Sequence, residues 1–175
     1  MRSNHASIGL VAALVFALVP CRSDAADTLA AKAAPSAKPA AAGQIERGKY
    51  MVLTGHCNNC HTAGYASNEG KVPEEKWLLG SGPLGWRGPW GTTYAANLRV
   101  NVNAMTEEQW VKYIKELKAR PPMPFWSTAA TTPQDLRAMY RYIKQLGPAG
   151  APAGEYLAPD KEPKPPYIQY PMPPK

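Results

Sequence analysis

Cys57-Asn58-Asn59-Cys60-His61 is the stretch that decides how this chain is read. Two thiols on one tight turn can add to two vinyl groups on one edge of a porphyrin, and the imidazole beside the second thiol then lies under the iron. The short spacing fixes a covalent haem and its proximal ligand together, so Cys57 and Cys60 are assigned to attachment and His61 to ligation. Three other chemistries share parts of the pattern. A zinc site needs two further Cys or His ligands, and outside the N-terminal segment only His56 remains. A thioredoxin-like pair belongs after a strand in an alternating strand and helix chain, and strand-like runs are scarce here. A short-loop disulfide explains the cysteines but not the histidine.

A haem that carries electrons without opening a site to small molecules needs a second axial ligand, and thioether sulfur stays bound in both oxidation states. Met51, Met105, Met123, Met139 and Met172 follow the N-terminal segment. Met51 is too near the cysteines to cross to the other haem face, Met139 falls in a helix stripe where packing is the default role, and Met172 lies in the tail. Met105 precedes a helix cap and stays possible. Met123, inside Arg120-Pro121-Pro122-Met123-Pro124-Phe125, sits on a loop that prolines hold out of helix, and is the preferred distal ligand. His56, adjacent to Cys57, is read as a surface residue.

Upstream of the motif, residues 1–25 read as an export signal: Arg2 is the basic start, Ile8 to Val19 the apolar run, and Ser23-Asp24-Ala25-Ala26 the cleavage region. The apolar run is too short to span a bilayer about 30 Å thick. Membrane association is therefore expected only if the signal is retained or Cys21 is lipidated. Cleavage removes Cys21 and leaves only the two motif cysteines. It also removes Arg2, Arg22 and Asp24, taking the formal charge from +7 to about +6. The remaining cations are dispersed, which suits docking to an acidic redox partner or an ordinary solvated surface. No nucleic-acid motif accompanies them, so nucleic acid is not expected among the partners.

Residues 26–43 are rich in Ala, Pro and Lys without apolar periodicity, the composition of a flexible spacer. The folded domain is expected over 44–147. Ile45, Gly48 and Val52 predict a short helix from Gln44 to Thr54, ended by Gly55. From Thr62 to Val102 the chain is rich in Gly, Trp and Pro and is read as ordered loop. Trp77, Trp86, Trp90 and Tyr94 in that loop suit a wrapping around a flat apolar body, or equally the protein's own core. Thr106 and Gln109 form a capping box before Trp110, Ile114 and Leu117, and Pro121-Pro122 stops that helix. Thr132, Pro133 and Asp135 start another, whose stripe of Leu136, Met139, Tyr140, Ile143 and Leu146 runs to Gly147-Pro148. Residues 148–175 form a Pro-rich tail with Tyr156, Tyr167, Ile168 and Tyr170 as anchors if it lies over the domain. The tail is expected to be dispensable for haem binding.

Arg47-Gly48-Lys49-Tyr50 ahead of the haem motif, Gly88-Pro89-Trp90-Gly91-Thr92-Thr93-Tyr94-Ala95-Ala96-Asn97, Met123-Pro124, and Asp135 to Ile143 together resemble class I cytochromes c. The likeness spans about residues 44–147 and is nearest to the cytochrome subunits of bacterial periplasmic dehydrogenases. It implies an all-α, cytochrome c-like fold of four to five short helices around one haem, with long ordered loops. The first and last helices would cross at Gly48, where a missing side chain lets two backbones approach. It further implies that a proline carbonyl, Pro89 or alternatively Pro83, accepts the Nδ1 proton of His61. Trp90 in the aromatic loop would contact the cofactor, and Tyr94, Asn97 and Arg99 would meet the propionates. The family often continues Asn-Ile-Thr-Pro-Asp after the tyrosine. Here Asn97-Leu98-Arg99-Val100-Asn101 stands instead.

The function expected from these residues is electron transfer, not enzymatic catalysis. One covalent haem c, its iron cycling between ferrous and ferric, would link a periplasmic dehydrogenase or other donor to a respiratory acceptor. The alternative is a haem enzyme or gas sensor with an open sixth position.

Overall fold

The computed structural model describes residues 37–174. Residues 1–25, read from the sequence as an export signal, and the first part of the stretch read as spacer lie outside the described residues. Among those described, six α-helices and a small sheet follow in the order α1 (Ala37–Thr54), α2 (Cys57–His61), β1 (Gly85–Gly88), β2 (Gly91–Tyr94), α3 (Leu98–Asn103), α4 (Glu107–Glu116), α5 (Phe125–Ala130), α6 (Pro133–Gln145) and β3 (Tyr167–Gln169). The architecture is the mostly helical one expected of a cytochrome c-like fold, with a sheet added to it. No helix among the described residues is long and apolar enough to cross a membrane.

The helix over 44–54 exists but begins at Ala37, inside the stretch read as spacer. Alanine is the strongest helix former, and Pro39 falls in the first turn, where an amide hydrogen has no partner within the helix. α1 and α6 cross at Gly48. A Cβ built there would collide with the Ala138 carbonyl and lie 2.8 Å from the Tyr142 Cβ. The crossing is bracketed by polar links: Arg47 Nε donates to Asp135 at 2.8 Å, and Lys49 and the Tyr142 hydroxyl both donate to Glu74.

α4 carries the capping box, with Thr106 accepting from the Gln109 amide and the Gln109 side chain accepting from the Thr106 amide. α6 is capped by Thr132, with Pro133 in its first turn and Asp135 near its positive end. Their apolar faces, Trp110, Ile114, Leu136, Met139, Tyr142 and Ile143, join Val52, Trp77, Leu78 and Val102 in one core. Trp110 satisfies its indole N–H on the Leu136 carbonyl at 3.1 Å, so the ring is buried without an orphaned donor. Trp77 thus belongs to the protein's own core.

The segment 62–102 departs from the expected loop. β1 and β2 pair antiparallel across Pro89-Trp90, and β3 from the tail adds to β1 in parallel, giving the order β2-β1-β3. The hairpin is Gly-rich and each strand is four residues long, too short for alternation to be legible. α3 has six residues and buries only Arg99 and Val102, so its periodic signal is equally weak.

The tail lies over the domain. Besides the β3 pairing, Thr92 and Leu157 exchange both backbone hydrogen bonds, at 2.8 and 3.0 Å. Tyr156 donates to the Trp90 carbonyl at 2.9 Å, Tyr170 packs edge-on to Trp90 with ring centroids 5.1 Å apart, and Arg87 pairs with Glu162.

Candidate haem site

The motif residues sit on a short helix aimed by its flanks. α1 ends where the Gly55 amide donates to the Met51 carbonyl at 2.8 Å. His56 then takes a left-handed φ of 58° and turns the chain into α2. This residue is exposed, as expected of a surface position. After His61, Thr62 pairs with Gly80 in a parallel bridge. Its buried hydroxyl donates to Asn58 Oδ1 at 2.7 Å and accepts from the Leu78 amide at 2.8 Å. The Gly80 amide donates to the His61 carbonyl at 2.8 Å. The haem-bearing turn is thereby bolted to the loop that follows it.

His61 is 9% exposed, and its Nδ1 lies 2.7 Å from the Ala96 carbonyl. A carbonyl only accepts, so Nδ1 carries the proton and Nε2 is the nitrogen left with a lone pair for a metal. Burial holds the imidazole pKa below its ordinary value, although the Ala96 carbonyl acts in the opposite direction. The neutral ring that a metal requires is therefore favoured.

The expected acceptor was the carbonyl of Pro89, or of Pro83, and this is corrected to Ala96. Residues 85–94 are spent on the hairpin, which carries Pro89 out to an exposed turn. The chain returns to His61 only at Ala95-Ala96, where the Ser81 amide donates to the Ala95 carbonyl at 3.2 Å. Every residue has a carbonyl, so nothing in the identity of Ala96 could have revealed it. The one cue is its place just before a helix-capping asparagine.

Cys57 and Cys60 are both half-buried and unpaired with each other. Burial pushes the Cys57 thiol up to about 11, and raises that of Cys60 as well. Both are protonated at neutral pH, the opposite of the thiolate that a disulfide oxidoreductase needs. No cluster of three or more His, Cys, Asp or Glu able to hold a metal ion occurs among the described residues.

The methionines separate cleanly. Met139 is buried in the core, and Met51 and Met105 pack against it. Met172 is exposed in the tail. Met123 is half-buried yet outside the core cluster. Its loop, between α4 and α5, is moored by Thr93, whose hydroxyl donates to the Pro121 carbonyl at 2.8 Å. Arg120 accepts from the Met123 amide at 3.2 Å, and Met123 accepts from Phe125 at 2.9 Å.

Trp90 is half-buried, and its Nε1–H is buried without a partner among the described residues. Tyr94 lines a cavity of about 450 Å³ with Pro83, Leu157, Lys164 and Pro165.

Asn97 and Arg99 do not serve as expected. The Asn97 side chain caps α3 and donates to the carbonyls of Ala149 and Ala151. Arg99 donates to the carbonyls of Glu75, Leu146 and Gly147, sealing the end of α6. A cation at a helix C-terminus satisfies orphan carbonyls and the dipole together. Both side chains are committed to backbone, which corrects their assignment to the propionates.

The residues fit haem c. Two protonated thiols and a neutral imidazole with a free Nε2 share one turn, and a buried indole donor has no protein acceptor. No curated protein and no solved structure matches the chain. The family model for cytochrome c matches residues 45–147, more than half of the 175. On that match and this geometry, the chain belongs to the cytochrome c family, carriers of electrons on covalent haem c.

Proposed function

We propose that the protein is an exported mono-haem cytochrome with His61 and Met123 as axial ligands, passing electrons from a periplasmic dehydrogenase or another donor to a respiratory acceptor. The observation that carries this reading is His61, turned by the Ala96 carbonyl so that Nε2 is left for iron, on the same five-residue helix as Cys57 and Cys60. When bound, haem c supplies a one-electron ferrous/ferric couple.

The chain's own part is to hold ligands still. Cys57 and Cys60 attach the macrocycle, and Ala96 orients the imidazole. Met123 would supply sulfur from a loop that Thr93 moors to the hairpin, and the buried, unpartnered Trp90 Nε1–H would be left to donate to a propionate. Ligands held in place in both oxidation states keep rearrangement small, so no substrate pocket is needed. The dehydrogenase as donor rests on the resemblance of the segments around residues 47–50, 88–97 and 135–143, and export rests on residues 1–25.

A pyridine haemochrome of the protein matured with haem-attachment machinery is expected to show one haem c per chain. The native ferric protein should show a methionine-to-iron charge-transfer band near the red edge, and the ferrous protein should bind carbon monoxide slowly. Met123→Ala should abolish the band and speed carbon monoxide binding at least tenfold. Fast binding by the unaltered protein would favour the open-site alternative, a haem enzyme or gas sensor.

A further inference from the structure

One side chain ties the C-terminal tail to the proximal face of the site. Asn97 directly follows Ala96, whose carbonyl accepts from His61. The residue is 1% exposed. Its Oδ1 accepts from the Arg99 and Val100 amides, each at 3.1 Å. Its Nδ2 donates to Ala149 at 2.8 Å and Ala151 at 3.0 Å. Between those carbonyls Gly150 takes φ +73°, and a Cβ there would come within 3.1 Å of Asn97 Nδ2. Glycine is thus needed for both the turn and the approach.

With all its bonds to backbone, the amide has one orientation, and the peptide preceding it is held too. From the opposite side, the Leu98 amide donates to the Leu78 carbonyl at 2.9 Å. The Ala96 carbonyl is therefore set between two anchors, one of which is the tail.

We propose that Asn97 is a positioning residue for His61: by clasping the turn Ala149 to Ala151 it sets the Ala96 carbonyl against Nδ1, and through it the tail tunes the reduction potential. The proposal rests on the reading of His61 as haem ligand. A firm Nδ1–H···O bond makes the imidazole a stronger donor at Nε2 and stabilises ferric over ferrous iron. Loosening the clasp weakens that bond and raises the potential.

Two variants of the full-length haem protein test this. Asn97→Ser keeps a good helix cap but is too short to reach the tail carbonyls. Gly150→Ala leaves the haem-proximal loop unaltered and drives a methyl into the clasp. Both are expected to retain haem by pyridine haemochrome. Both should raise the ferrous-to-ferric ratio at a fixed poised potential about three- to tenfold, tenfold being about 59 mV for a one-electron couple. The paramagnetically shifted ring protons of His61 should move with it.

An unchanged potential and unchanged ring resonances in both variants, with only a lower melting temperature, would overturn the proposal and leave the clasp a purely structural device. If Asn97→Ser fails to mature, Gly150→Ala decides by the same two readouts. Absence of a haemochrome from the unaltered protein would instead refute the haem reading itself, so the two failures are distinguishable.

Discussion

Gly48→Ala sets two effects of opposite sign against each other. In an isolated helix the change stabilises by up to about 1 kcal/mol, because alanine has less backbone freedom to lose. At the α1 and α6 crossing, however, the new Cβ would overlap the Ala138 carbonyl and stand 2.8 Å from the Tyr142 Cβ. Those neighbours are backbone and the root of a side chain, so relief requires the helices to separate and not merely a rotamer to turn. Overpacking of this kind costs about 3 kcal/mol, the upper end of its usual range. The steric term wins, for a net loss of about 2 kcal/mol, which for a chain of this size lowers the melting temperature by roughly 4 to 8 °C. Gly43→Ala is the internal control. It lies in the same helix with nothing within 4 Å of the added Cβ, and should raise the melting temperature slightly. Thermal unfolding followed by circular dichroism and haem absorbance reads both. A Gly48→Ala protein as stable as the parent would refute the close crossing.

Thr62→Val removes a buried hydroxyl that bridges Asn58 Oδ1 and the Leu78 amide. With both partners left unsatisfied, the loss should be about 2 to 4 kcal/mol, and an unaltered urea midpoint would contradict it. Asp135 is held below the ordinary carboxylate pKa, chiefly by its hydrogen bond from Arg47, with a smaller contribution from Thr132. The folded state thus binds this proton less readily than the unfolded state. The stabilisation is present above the unfolded pKa of about 3.9 and is lost as pH falls through the lower folded value. Asp135→Asn should flatten that part of the stability profile below about pH 4, and a profile identical to the parent's would show the pair to be idle.

The fold was most legible where local rules and burial agree. Thr106 with Gln109, and Thr132 with Pro133 and Asp135, marked the starts of α4 and α6, and their apolar stripes face the core as spaced. Gly48 was legible as a close approach only through likeness to a family. The hairpin was not legible, since β1 and β2 are short and glycine-rich. β3 pairs with β1 in a register that joins Gly85 to Tyr167, 82 positions apart in sequence, a distance over which no local pattern carries information. α1 ran further upstream than expected because an alanine run reads as spacer by composition and as helix by propensity.

The site divides along the same line. Cys57, Cys60 and His61 were determined by the sequence alone, because two thioether bonds and one ligation demand particular side chains at particular spacing. What turns the imidazole was decided only in three dimensions. A backbone carbonyl has no residue identity, so Ala96 could displace Pro89 as the acceptor once the hairpin took its length of chain. Asn97 and Arg99 carried the right chemistry for propionates, but the packed structure offered them the ends of α6 and the tail. Buried polar groups bond to whatever the fold brings within reach, and that proximity is a property of the folded chain.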